Sequence, residues 1–134
     1  MDTGRLCLIL PLNIVNRVYV DQLVRCSSSS AANYRSACRG KSRADFINKL
    51  RTIEEELDET MFFYEMIADF NESAKVKLRI LYKEANKLLS IIVASLNTAT
   101  SNLLKEEAKR KNNQKRKSGK NSRIIRHPKT KSEI

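Results

Sequence analysis

The stretch Ser42–Phe70, SRADFINKLRTIEEELDETMFFYEMIADF, decides the architecture of this chain. Its first four residues, Ser42-Arg-Ala-Asp45, read as a variant capping box: a serine at the helix start and an acid three residues on. Behind the cap, Phe46, Leu50, Ile53, Leu57, Met61, Tyr64 and Ile67 or Ala68 recur at intervals of three and four. That spacing gathers them on one stripe of a helix reaching about Phe70. With a rise of ~1.5 Å per residue, such a helix is roughly 43 Å long. Asn71-Glu-Ser73 then supplies a stop, a turn and a new N-cap.

The segment that follows repeats the pattern with Leu78, Leu81, Ala85, Leu88, Ile92, Ser95 and Ala99. Tyr82, Leu89, Leu96 and Leu103 add a second stripe at seven-residue intervals, which makes the apolar face wider than one antiparallel neighbour covers. Either a bundle or a second subunit must bury it. Upstream, Asn13 can cap a helix holding Ile14, Val15, Val18, Leu23 and Val24. Whether that helix survives Ser27-Ser-Ser-Ser30 is open: a serine run reads as a linker, yet small residues also permit close helix packing. Gly40 offers a natural stop before the Ser42 cap.

Composition agrees with helices. The 134 residues include only three Gly and two Pro, with no Trp, which argues against a turn-rich β architecture. Cys7, Cys26 and Cys38 are odd in number and share no metal-type spacing, so reduced thiols in a cytoplasmic protein are expected. The single His127 cannot form a metal site alone. Leu6–Leu12 is apolar but too short to span a bilayer, and Pro11 interrupts it. Neither a secretory signal nor a membrane partner is expected.

Charge divides the chain. Residues 109–134 carry eleven Lys/Arg against one Glu, net +10, whereas residues 1–108 carry fifteen basic and fourteen acidic groups, net +1. Within the body, residues 1–51 are basic (nine against three) and residues 52–72 hold eight acids and no base. We therefore expect a helical domain over 1–108 and a polybasic tail over 109–134. The tail is expected to be disordered apart from a frayed extension of the last helix, because clustered cations repel and Ser118, Gly119 and Pro128 disfavour helix.

Several runs go beyond composition: Gln22-Leu-Val-Arg25, Ala32-Asn-Tyr-Arg35, Ala37-Cys-Arg39, Lys41–Leu50, Glu54-Glu-Glu56 and Phe62-Phe-Tyr-Glu65, with Glu84–Ile91 and Val93-Ala-Ser95 in the last helix. Across roughly residues 5–104 the chain resembles the bacterial four-helix-bundle family of 23S rRNA intervening-sequence proteins. The resemblance implies an antiparallel up-and-down bundle, a second helix continuous through the serines and a homopentameric ring. It extends to the accessory proteins of diversity-generating retroelements, which bind nucleic acid together with a reverse transcriptase. It implies no enzymatic activity and no cofactor. Family members carry a full first helix ahead of the Leu-Pro matching Leu10-Pro11. Here about ten residues stand in that place, so the first helix is expected to be short, or the true start to lie upstream. A missing helix would bare apolar surface on its neighbours.

Candidate sites follow from charge and polarity. Gln22, Arg25 and Asn33, with Arg35, are polar groups on a small-residue helix. They read either as a binding surface or as a hydrogen-bond network fixing helix register. Arg35, Arg39, Lys41 and Arg43 cluster near a helix junction, where they either contact phosphates or pair with the acidic 54–59 segment of a neighbouring subunit. In the tail, Lys109, Arg110, Lys111, Lys115, Arg116, Lys117, Lys120, Arg123 and Arg126 would bind RNA or DNA by counterion release, with little sequence preference. The acidic residues lack the Glu-x-x-His pairs that a di-metal bundle requires. No nucleophile is paired with a base, so no catalytic residue is assigned. The expectation is a non-enzymatic, oligomeric, all-α protein associated with nucleic acid. A scaffold that recruits a protein partner is the alternative.

Overall fold

A computed structural model describes residues 2–124, with side chains described for residues 2–119. Four α-helices follow in order, α1 (Asp2–Ile9), α2 (Ile14–Ala37), α3 (Arg43–Phe70) and α4 (Lys75–Ile124), with a 3₁₀ turn at Glu72–Ala74 before the last. They form an all-α, up-and-down bundle in which the first helix is shortened to 8 residues. Asn13 caps α2 by accepting from the Asn16 amide at 2.8 Å, and Ser42 caps α3 by accepting from the Asp45 amide at 3.1 Å. Both caps satisfy amides that a helix start leaves unpaired.

The serine run does not interrupt α2. Ser27 and Ser30 turn their hydroxyls back onto the carbonyls of Val24 and Cys26, at 3.3 and 3.0 Å, while Ser29 donates to Glu56 of α3 at 3.0 Å. Each hydroxyl is thereby satisfied without breaking the helical ladder. At the far end Gly40 is not a left-handed stop, since no glycine among the described residues has positive φ. Its value is spatial: a Cβ there would lie 3.0 Å from the Ala37 carbonyl oxygen.

Cross-helix bonds run in opposite order along α2 and α3, as an antiparallel pair requires: Asn16 to Asn71, Arg25 to Glu59, Ser29 to Glu56. One core cluster gathers Leu6, Leu10, Leu23, Cys26, Met61, Tyr64, Ile67, Leu78 and Ala85. A second gathers Ala37, Leu50, Ile53, Leu57 and Ile92. Each fully buried Leu or Ile contributes about 1.5–3 kcal/mol of transfer free energy. Along α2, Ile14, Val18 and Val24 are exposed, and the buried face carries Asn16, Leu23, Cys26, Ser30 and Ala37.

The chain divides into two units, Met1–Thr100 and Ser101–Ile134. In the second unit the backbone is helical through Ile124, and every described side chain except Leu103 and Glu106 is exposed. The helical extension thus reaches well into the tail. Lys, Arg, Gln and Glu are good helix formers, and like charges at i,i+4 cost only tenths of a kcal/mol. The expectation for residues 125–134, Arg126 included, falls outside the described residues.

Burial also sets how the fold responds to alkali. Burial pushes the Tyr64 phenol above its usual 10.0 and the Cys26 thiol above its usual 9.0. The folded chain holds both neutral, whereas the unfolded chain ionises them at the lower values. The stability they contribute is complete below pH 9 and is lost as pH climbs through 9 and then 10. Melting temperature is therefore expected to fall between pH 9 and 11, and Tyr64→Phe should flatten the upper part of that fall. An identical alkaline profile for the variant would refute the assignment to Tyr64.

Candidate nucleic-acid interface

The corner between α2 and α3 brings basic residues together. The last turn of α2 ties up its own carbonyls: Cys38, Arg39 and Gly40 donate backbone amides to Tyr34, Ser36 and Ala37 at 3.0–3.1 Å. This tight turn keeps Arg39 one helical turn beyond Arg35, and Lys41 continues the same rim. Across the corner, α3 presents Asp45 and Lys49, also four residues apart and so on one face. The result is an open recess of about 460 Å³ bordered by Arg35, Ser36, Arg39, Lys41, Asp45 and Lys49, with Ala32 beside them. Four cations thus surround one carboxylate. Arg35, Arg39 and Lys41 are exposed, while Asp45 and Lys49 are half-buried, with Lys49 Nζ 3.8 Å from Asp45 Oδ1.

Arg43, grouped with these residues by sequence, opens α3 as an exposed side chain but does not border the recess. Lys49 and Asp45 were missed as site residues. Their i,i+4 spacing was legible, but which side of the corner they face depends on how α2 and α3 cross. In the second unit Lys109, Arg110, Lys111, Lys115, Arg116 and Lys117 are all exposed on helical backbone. Lys120 and Arg123 lie on the same helix, with side chains outside the described set.

Gln22, Arg25 and Asn33 lie along the seam between α2 and α3. Arg25 donates to Gln22 Oε1 at 3.1 Å and to Glu59 Oε1 at 2.6 Å, and its other terminal nitrogen is 3.9 Å from Glu56 Oε2. Asn33 donates to the Ser29 carbonyl and hydroxyl at 3.0 and 3.2 Å. The bond to the Glu59 carboxylate raises the Arg25 pKa further, so the guanidinium stays charged. Within this chain Arg25 pairs with Glu56 and Glu59 of the acidic 54–59 segment, and the recess lies farther on, at the C-terminal end of α2.

A larger groove of about 710 Å³ lies beside the bundle, bordered by Ser27, Ser30 and Tyr34 of α2 and Leu88, Ile91 and Ile92 of α4. Residues Asp2–Gly4 of α1 close one end. Leu88 and Ile91 remain more than half exposed on its rim, at 53% and 60%.

Among the described residues no group of three His, Cys, Asp or Glu side chains is placed to hold a metal, and no helix is long and apolar enough to cross a membrane. The three cysteines are free thiols.

No family model and no curated protein matches the chain. Among solved structures it is similar to a protein of unknown function from the S23 ribosomal protein family of Bacteroides thetaiotaomicron. The two share 26% identity and a TM-score of 0.56, over 59% of this chain and 73% of that one. The likeness is one of fold, to a protein of the S23 ribosomal protein family.

Proposed function

We propose that this chain is a non-enzymatic, cytoplasmic member of the 23S rRNA intervening-sequence kin that self-associates and binds RNA or DNA through its basic surfaces. The observation that carries the reading is the recess, where Arg35, Arg39, Lys41 and Lys49 converge with one acid among them. Exposed cations at Lys109–Lys111 and Lys115–Lys117 extend the same chemistry. Phosphate contacts of this kind give affinity and orientation rather than sequence choice. Self-association follows from apolar surface: Leu8, Leu12 and Ile14 are 83% exposed or more, and the groove rim adds Leu88 and Ile91. Resemblance to the intervening-sequence family makes a pentameric ring the assembly of choice.

Replacing Arg35, Arg39 and Lys41 together by Gln should weaken binding to single-stranded RNA and lower the salt slope by about two. Melting should not change, since all three are exposed. Unaltered affinity would remove the recess from the interface. The 710 Å³ groove favours a second reading, a scaffold that seats an apolar helix of a partner such as a reverse transcriptase. A stoichiometric protein partner retained after nuclease and high salt, with no RNA affinity in the purified chain, would decide for it.

A further inference from the structure

The recess holds a carboxylate as well as cations: Asp45, in the first turn of α3, borders it. Asp45 sits among four cations, half-buried, with 40% of its side chain accessible and Oδ1 3.8 Å from Lys49 Nζ. That separation is longer than a hydrogen bond, so Lys49 offsets the carboxylate's charge without saturating its acceptor capacity. On the other side the turn passes close by: a Cβ at Gly40 would stand 3.6 Å from Asp45 Oδ2, an ordinary contact. Ser36 adds a neutral hydroxyl to the same border.

A carboxylate repels a phosphate, so a ligand that suits the whole recess carries an anion and a donor side by side. A ribonucleotide does: its phosphodiester suits Arg35, Arg39, Lys41 and Lys49, and its 2′-hydroxyl offers a donor a few ångströms away. DNA has the same phosphate without that donor. The 2′-hydroxyl is the group by which proteins separate the two nucleic acids, and a carboxylate is a suitable acceptor for it. The recess volume of about 460 Å³ falls in the usual range for a small-ligand cleft.

We infer that the Asp45 carboxylate accepts a ribose 2′-hydroxyl in this recess, so that the site takes RNA in preference to DNA. The inference rests on the proposed function and narrows it. It is tested with the full chain and three fluorescent hexamers of uridine, differing only in the sugar: ribo, deoxy and 2′-O-methyl. The ribo hexamer should bind roughly three- to tenfold more tightly than the other two, the size expected of one exposed hydrogen bond to a charged acceptor. Asp45→Ala should bring the three affinities together by removing the acceptor, with an unchanged helical circular dichroism spectrum showing that α3 is intact. Lys49→Gln should weaken all three equally, as loss of a phosphate contact does. Equal binding of ribo and deoxy probes by the unaltered chain overturns the inference, as does 2′-O-methyl binding as tight as ribo, or a preference that survives Asp45→Ala. Those outcomes leave phosphate binding by the recess standing, whereas indifference of every probe to Lys49→Gln and to the three-Gln variant removes the recess itself.

Discussion

Ending the chain after Ala108 is expected to reduce affinity for single-stranded RNA by a hundredfold or more at ~50 mM salt. The deleted segment carries eleven Lys/Arg and one Glu. If about half of those cations reach phosphates, the salt slope should become shallower by about four, at roughly 0.7 per contact on a single strand. The body left behind has a formal charge of only +1, so long-range attraction nearly vanishes with the tail. The proposed self-association would enlarge the effect, because linked weak contacts act through effective concentration. Light scattering on the intact protein should accordingly return a multiple of 15.4 kDa. Equal affinities and equal slopes for the two chains would exclude the tail from binding. A monomeric mass at high concentration would remove the avidity.

The second large effect concerns stability. Asn16 and Asn71 are buried, at 2% and 5% exposure, and form a reciprocal amide pair across α2 and the end of α3. Asn16 Nδ2 donates to Asn71 Oδ1 and to the Pro11 carbonyl, both at 2.8 Å. Asn71 Nδ2 donates to Asn16 Oδ1 at 2.7 Å and to the Ile67 carbonyl at 2.8 Å. Four bonds thus fasten the Pro11 corner to the C-terminus of α3. Asn71→Ala leaves the Asn16 amide and the Ile67 carbonyl short of partners, and each buried unsatisfied group costs about 1–3 kcal/mol. We expect each single substitution to lose about 2–4 kcal/mol, a fall in melting temperature of roughly 10–20 °C for a body of this size. The pair replaced together should lose less than the sum, with a coupling of about 1–2 kcal/mol. Denaturant unfolding of the two singles and the double measures this. Strict additivity, or single losses within ordinary surface scatter, would show that the pair does not hold the corner.

Much of the bundle was legible in residue spacing. In α3 the stripe from Leu50 through Ile67 is buried at Leu50, Ile53, Leu57, Met61, Tyr64 and Ile67. The caps at Asn13 and Ser42 were equally readable, because a cap is a matter of three or four neighbouring residues. In α4 the reading was less complete. Leu78, Ala85 and Ile92 are buried, but Leu88 from the same stripe stands on the groove rim, since nothing in the described chain covers that corner. Asn71 shows the limit most plainly: sequence marks it as a helix stop, and it is one, but its side chain is turned into the core toward Asn16.

Local order, then, is what the sequence determined by itself: where helices begin, which stripe of α3 faces inward, and that nearly all excess charge lies beyond residue 108. Those properties depend on neighbours within a turn or two, where the 3.6-residue period places side chains without reference to the rest of the chain. Only the tertiary structure decided that α2 runs through four serines, that two asparagines fill a core position, and that Lys49 and Asp45 join Arg35, Arg39 and Lys41 around one recess. Each of those outcomes depends on the distance and rotation between two helices, which packing sets and no spacing along a single helix encodes.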